Sequence, residues 1–76
     1  MLKYQLIANQ IESHIYENNL PKGTKLPTVE QFASDYSVSK STIVKALESL
    51  VLKGIVYQVQ GSGIFVRKKN RNGYIK

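Results

Sequence analysis

From Ser37 to Gly54 the apolar residues Ile43, Ala46, Leu47, Leu50 and Val51 recur at intervals of three and four, the repeat of one helical face. The spacing predicts a helix over 40–53. Ser39 stands where a hydroxyl can accept a first-turn N–H, and Gly54 where a helix closes in the left-handed conformation, with Lys53 in the last turn. An earlier helix is predicted over 3–18, with Tyr4, Ile7, Ala8, Ile11 and Ile15 on one face and Lys3, Gln10, Glu12 and Glu17 off it. Asn18-Asn19 ends that helix, Pro21-Lys22-Gly23 reads as a turn, and Thr24-Lys25-Leu26 as a short strand fragment. Between the two helices, Val29, Phe32, Ala33 and Tyr36 predict a third and shorter one. Thr28-Val29-Glu30-Gln31 fits a capping box in which Gln31 reaches back, and Pro27 and Phe32 hold the two positions of a hydrophobic staple.

After Gly54 the period drops to two. Ile55, Tyr57 and Val59 alternate with Val56, Gln58 and Gln60, and Ile64-Phe65-Val66 follows Gly61-Ser62-Gly63. Two such runs around a glycine-containing loop predict a hairpin. Its tip bears no bulky side chain, so its backbone can approach another surface closely; the plainer reading is a loop that needs positive φ angles. Only Ser37-Val38 separates the second helix from the cap of the third. Two helices joined so tightly, followed by a hairpin, predict an α+β fold: a winged helix-turn-helix of three helices and a two-stranded wing. The domain is expected over residues 1–69, with 70–76 a basic linker or disordered tail.

A chain of 76 residues holds one modest core. It has no cysteine, so disulfides and thiolate metal sites are excluded. Its single histidine, His14, sits beside Ile15 near the apolar stripe and reads as an edge or surface residue rather than a ligand. No nucleophile has a base at useful spacing, so neither an enzyme nor a cofactor is expected. The start MLKYQLIANQ is broken by Gln5, Asn9 and Gln10 and is no secretory signal, and no apolar run approaches the roughly 18 residues of a membrane span. The expectation is a soluble cytoplasmic domain with no membrane partner.

Charge sharpens the picture. Residues 1–36 carry three lysines against four carboxylates, a net of −1, while residues 37–76 carry eight basic residues against Glu48 alone, a net of +7. Such asymmetry points to a polyanionic partner. The predicted third helix agrees. A helix start favours Asp or Glu by roughly 0.3–1 kcal/mol, because it carries partial positive charge. Here the first turn is Lys40-Ser41-Thr42, with no carboxylate. That arrangement suits an anion supplied from outside, phosphate first among them; otherwise Lys40 is a solvated lysine on an ordinary surface helix.

Beyond these patterns, the chain resembles the DNA-binding domain of the GntR family of bacterial transcription regulators. The resemblance rests on Tyr4 and Ile7 through Ile15, then Leu20-Pro21-Lys22-Gly23-Thr24-Lys25-Leu26-Pro27-Thr28 and Phe32-Ala33. It continues through Tyr36-Ser37-Val38-Ser39-Lys40-Ser41-Thr42-Ile43, Lys45-Ala46-Leu47, Leu50, Gly54-Ile55-Val56-Tyr57 and Gln60-Gly61-Ser62-Gly63-Ile64-Phe65-Val66. The wing sequence is most similar to the HutC-like branch, whose full-length members carry a small-molecule-sensing domain. The resemblance implies a transcription regulator, expected to be a repressor, that reads a partly palindromic operator in double-stranded DNA. Homodimerisation is expected only where a C-terminal effector domain is present. Two departures stand out: Glu30 and Val44 occupy positions where the family often has a DNA-contacting arginine.

The helix-turn-helix pattern then assigns the contacts. The front of the third helix, with Ser39, Lys40, Ser41 and Thr42, would meet base edges or phosphates in the major groove, and Lys45 a phosphate one turn on. Thr28 would lie against the backbone. Gln60, Gly61, Ser62 and Gly63 would reach the neighbouring minor groove, with Arg67 either assisting or a solvated strand end. Facing the groove, Val44 would favour a thymine methyl and Glu30 would accept from cytosine N4. The competing readings are Val44 at the edge of the core and Glu30 as a dipole-favourable surface residue. The alternative function is a winged-helix protein-interaction module without specific DNA binding, or charge-driven, sequence-blind binding of RNA or an acidic membrane.

Overall fold

Ile11 and Ile15 of α1 (Lys3–Glu17) and Ile43, Leu47 and Leu50 of α3 (Lys40–Lys53) are almost wholly withdrawn from solvent, and they pin the two helices together. Burying an aliphatic side chain of this size contributes about 1.5–3 kcal/mol, so this seam is the main stabilising contact of a small domain. The computed structural model describes residues 2–67. In it α2 (Val29–Tyr36) packs on α3 through Phe32, and the antiparallel strands β1 (Val56–Val59) and β2 (Gly63–Val66) close the core with Val56, Ile64 and Val66. α3 is the hub, touching α1, α2 and β1. The fold is a winged helix-turn-helix, as the sequence predicts.

The helix ends follow their sequence signals with two differences. Ser39 caps α3, and Gly54 closes it at φ 79° with the Ile55 N–H returned to the Leu50 carbonyl at 2.9 Å. Thr28 Oγ1 accepts the Gln31 N–H at 3.0 Å, but Gln31 does not complete the capping box. Its Nε2 donates instead to Asp35 Oδ1 at 3.0 Å, since a carboxylate one turn ahead is the stronger partner for an amide donor. α1 stops at Glu17, one residue short of the predicted end, because Asn18 serves as its cap and donates Nδ2 to the His14 carbonyl at 2.9 Å. His14 is exposed beside that cap, where a surface reading puts it.

The tight connection between α2 and α3 depends on a left-handed residue whose conformation the pattern does not predict. Ser37 adopts the left-handed conformation, φ 57° and ψ 47°, and the Val38 N–H turns back to the Ala33 carbonyl at 3.0 Å. That reversal lets Ser39 begin α3 at once. Fully buried Ala46 and half-buried Ala33 leave room for the two helices to lie close.

The wing departs from the simple alternation. β1 buries Val56, opposite Val66, while Val59 is exposed and Tyr57 stacks on Phe65 with ring centroids 5.6 Å apart. Gly63 is not part of the loop: it pairs with Val59 as the first residue of β2, so the turn is Gln60-Gly61-Ser62. The fragment Thr24–Leu26 lies along the other edge of β2. Lys25 bridges Phe65, Leu26 N–H donates to the Ile64 carbonyl at 2.8 Å, and Val66 N–H to the Thr24 carbonyl at 2.9 Å. The wing is thereby tied to the turn before α2. Val51, predicted on the buried stripe of α3, is instead exposed on its flank, seven residues and two turns from exposed Val44.

Candidate nucleic-acid interface

The hydroxyls at the front of α3 form a small network. Ser39 Oγ accepts the Thr42 N–H at 3.2 Å and lies 3.0 Å from Thr42 Oγ1 and 3.4 Å from Ser41 Oγ. Ser39 is thus engaged in capping, whereas Lys40 and Ser41 are exposed and Thr42 is half-buried. No acidic residue lies in this first turn, nor in that of α1. The two starts adjoin: Leu2, Lys3 and Tyr4 share a cleft of about 230 Å³ with Ser41, Thr42 and Lys45. Lys3 and Lys45 therefore set two cations beside the hydroxyl cluster. Lys3 and Tyr4 are not among the contacts assigned from the sequence, although a basic first turn without a carboxylate is as visible at Lys3 as at Lys40.

On the other side of the α3 front lies α2. Lys40 Nζ is 3.4 Å from Glu30 Oε2, and both side chains are mostly exposed, 64% and 74%. Glu30 is therefore the single carboxylate in contact with this basic surface among the described ion pairs. Its neighbours Thr28 and Val29 form one wall of a wider groove of about 570 Å³, whose opposite wall is the wing, Gln58–Ile64. Lys25 lines its floor. The front of α2 thus neighbours the front of α3 through Glu30 and Lys40, and the wing through the groove at Thr28 and Val29. Gln60, Gly61 and Ser62 are exposed at the tip, and Gly63 is half-buried behind it.

Two of the remaining residues fall differently. Val44 is 40% exposed, on the surface rather than in the core, and Lys45 is exposed beside it. Arg67 lies at the foot of the wing, its N–H donating to the Ile55 carbonyl at 2.8 Å. It shares a crevice with Lys22, Leu52, Lys53 and Tyr57 at the back end of α3, four β2 residues away from the tip. The structure does not bring Arg67 to the wing tip. Lys53, at that same end, is paired with Glu12 at 3.3 Å, so this lysine is neutralised within the fold. Lys68, Lys69, Arg71 and Lys76, and with them the expected tail, lie outside the described residues. Among the described residues no helix is long and apolar enough to cross a membrane, and no three or more His, Cys, Asp or Glu gather to hold a metal ion.

Known proteins share this arrangement. The chain is 57% identical over 75 residues to YydK of Bacillus subtilis (strain 168), an HTH-type transcriptional regulator, covering 99% of this chain and 32% of that protein. The crystal structure of YydK superposes with a TM-score of 0.89 at 56% identity, over 100% of this chain and 33% of that one. The DNA-binding domain of AraR in complex with operator ORX1 gives a TM-score of 0.82 at 36% identity, over 87% of this chain and 80% of that one. The HTH-type transcriptional repressor NagR of B. subtilis is 32% identical over 65 residues, 86% of this chain and 27% of the repressor. The chain spans about a third of the length of the curated regulator it matches over almost all its residues. The model of the gntR family of bacterial regulatory proteins matches residues 3–66, and the chain belongs to that family.

Proposed function

We propose that this domain binds double-stranded DNA in a sequence-specific manner as the reading head of a bacterial transcription regulator, acting as a repressor in the cytoplasm. The observation that carries this reading is the exposed, carboxylate-free start of α3, with Lys40 and Ser41 in solvent and Lys40 reaching Glu30 at the front of α2. The solved complex of the similar AraR domain with its operator supports it.

In this reading α3 enters the major groove. Lys40, Ser41 and Thr42 meet base edges and phosphates, and Lys45 with Lys3 takes the strand alongside. Thr28 faces the backbone from α2, Val44 faces a thymine methyl, and Glu30 both restrains Lys40 and accepts from a cytosine N4. Gln60–Gly63 meets the adjacent minor groove, where an edge free of bulky side chains fits closely. Ser39 acts by holding the helix start in shape. A longer protein would dimerise through a C-terminal effector domain, and two such heads would read a partly palindromic operator.

Selection of bound duplexes from a random pool tests the reading. A recovered consensus, with Lys40→Ala losing roughly 5- to 150-fold in affinity for it, is the expected result. Recovery of unrelated sequences, bound equally by Lys40→Ala, would instead favour a protein-docking role.

A further inference from the structure

The groove between α2 and the wing holds a cation that neither the sequence pattern nor the helix-turn-helix assigns. Lys25 is exposed, and its backbone is held rigidly by the bridge to Phe65 and by the hydrogen bonds of its neighbours Thr24 and Leu26 to β2. Its side chain runs across the wing over Gly63. A Cβ at residue 63 would stand 3.2 Å from Lys25 Cε and 4.0 Å from Nζ, so a side chain there would displace the end of the lysine by a few tenths of an ångström. Gly63 also has φ 127°, which glycine alone adopts readily. The two demands coincide at one residue: β2 begins there at a positive φ, and the lysine side chain passes there.

No acidic residue lines this groove; its walls are Thr28, Val29, Gln58 to Ile64 and Leu26. Among the described residues Lys40 and Lys53 are ion-paired with Glu30 and Glu12, whereas Lys25 has no carboxylate within ion-pair distance. The ammonium is thus a positive charge on a fixed stretch of backbone, open to solvent, in a groove lined by Thr28, Gln58, Gln60 and Ser62 together with aliphatic side chains.

We propose that Lys25 binds a backbone phosphate of DNA, on the strand that separates the groove entered by α3 from the groove met by the wing. The proposal rests on the DNA-binding reading above. Adjacent major and minor grooves of a duplex are divided by a single phosphodiester strand. A protein that puts one element into each groove must pass that strand between them, and the space between the α2 front and the wing is where Lys25 stands. A contact there sets register and adds affinity without reading sequence, because phosphates are the same at every step. Gly63 is part of the same device, keeping the path of the lysine clear.

The test uses the whole chain with its selected duplex and a scrambled one, and measures binding across a salt series for wild type, Lys25→Gln and Lys25→Arg. Losing one phosphate contact makes the slope of log K against log salt shallower by about 0.9. Lys25→Gln should show that change, weaken binding to both duplexes by a similar factor and leave the selected consensus unaltered, while Lys25→Arg restores the slope. The exposed side chain makes no fold contact through its charge, so unchanged melting of Lys25→Gln is the accompanying control. A wild-type slope and affinity in folded Lys25→Gln would overturn the phosphate assignment alone. Loss of discrimination between the duplexes in Lys25→Gln would overturn it in favour of base reading. A wild type that prefers no duplex and ignores salt would overturn the DNA reading together with it.

Discussion

Lys40, the first residue of α3, reaches over the tight turn to Glu30 of α2, its Nζ 3.4 Å from the carboxylate Oε2. The pair joins the two halves of the helix-turn-helix at the edge of the basic face. Both side chains are mostly in solvent, so the pair adds little to folding. Its consequence is for the proposed binding: Lys40 is already partly neutralised by Glu30, and a phosphate approaching Lys40 would also approach Glu30.

Replacing Glu30 by Gln should therefore leave stability within about 0.5 kcal/mol of wild type, as for other exposed pairs. Affinity for scrambled duplex should rise several-fold, and the gap between selected and scrambled duplexes should narrow, since in the proposed complex the Glu30 carboxylate would penalise unsuitable sites. Dissociation constants for both duplexes decide it. A wider gap in Glu30→Gln would contradict the role given to the pair.

Val44 offers a different kind of test. It is exposed one turn behind Lys40, and valine can meet a thymine methyl but cannot bond guanine O6 and N7 as arginine does. Val44→Arg should change the sequences recovered from a random pool and not merely tighten binding. Identical preferred sequences for both proteins would place Val44 outside the groove.

Ser39 separates structure from contact. Its hydroxyl accepts the Thr42 N–H, and Ser39→Ala removes that cap at an expected cost of about 0.5–2 kcal/mol. For a domain of this size each 1 kcal/mol lowers the melting temperature by roughly 4–8 °C. Thermal unfolding followed by circular dichroism should show that drop. A melting temperature equal to wild type would mean that Thr42 finds another acceptor.

Much of this fold was written in the spacing of residues. The α1 and α3 stripes, the caps at Thr28 and Ser39 and the stop at Gly54 are local signals, and local backbone chemistry decides them. The misjudged positions are those settled by tertiary contact. Val51 fits the helical period yet lies on the open flank of α3, and β1 buries Val56 because the hairpin leans that residue onto the core opposite Val66. Gln31 turned from its cap to Asp35, a competition that the capping pattern does not weigh. The proposed DNA face was half legible. The front of α3 and the wing tip carry their own sequence signature, whereas Lys3 and Lys25 join them only through the packing of α1 on α3 and of Thr24–Leu26 on β2. Arg67 shows the converse, a basic residue close to the wing in sequence that the strand carries to its far end.

Burial, and after it the neighbouring Asp35 carboxylate, raise the Tyr36 hydroxyl above its ordinary value of 10.0. The folded protein therefore keeps this phenol neutral to a higher pH than the unfolded chain does. Its contribution to stability is whole below pH 10.0 and is lost as pH rises through the folded value. Urea midpoints measured across that range should fall less steeply for Tyr36→Phe than for wild type. An equal fall would place the alkaline loss elsewhere.

The most direct measurement is the binding of the chain to its selected duplex and to a scrambled one across a range of salt. Each phosphate neutralised by a lysine contributes about −0.9 to the slope of log K against log salt, and several such contacts are expected from Lys3, Lys25, Lys40 and Lys45. The account requires a steep slope on both duplexes and a clear preference for the selected one. Equal binding to both, or binding indifferent to salt, would contradict it.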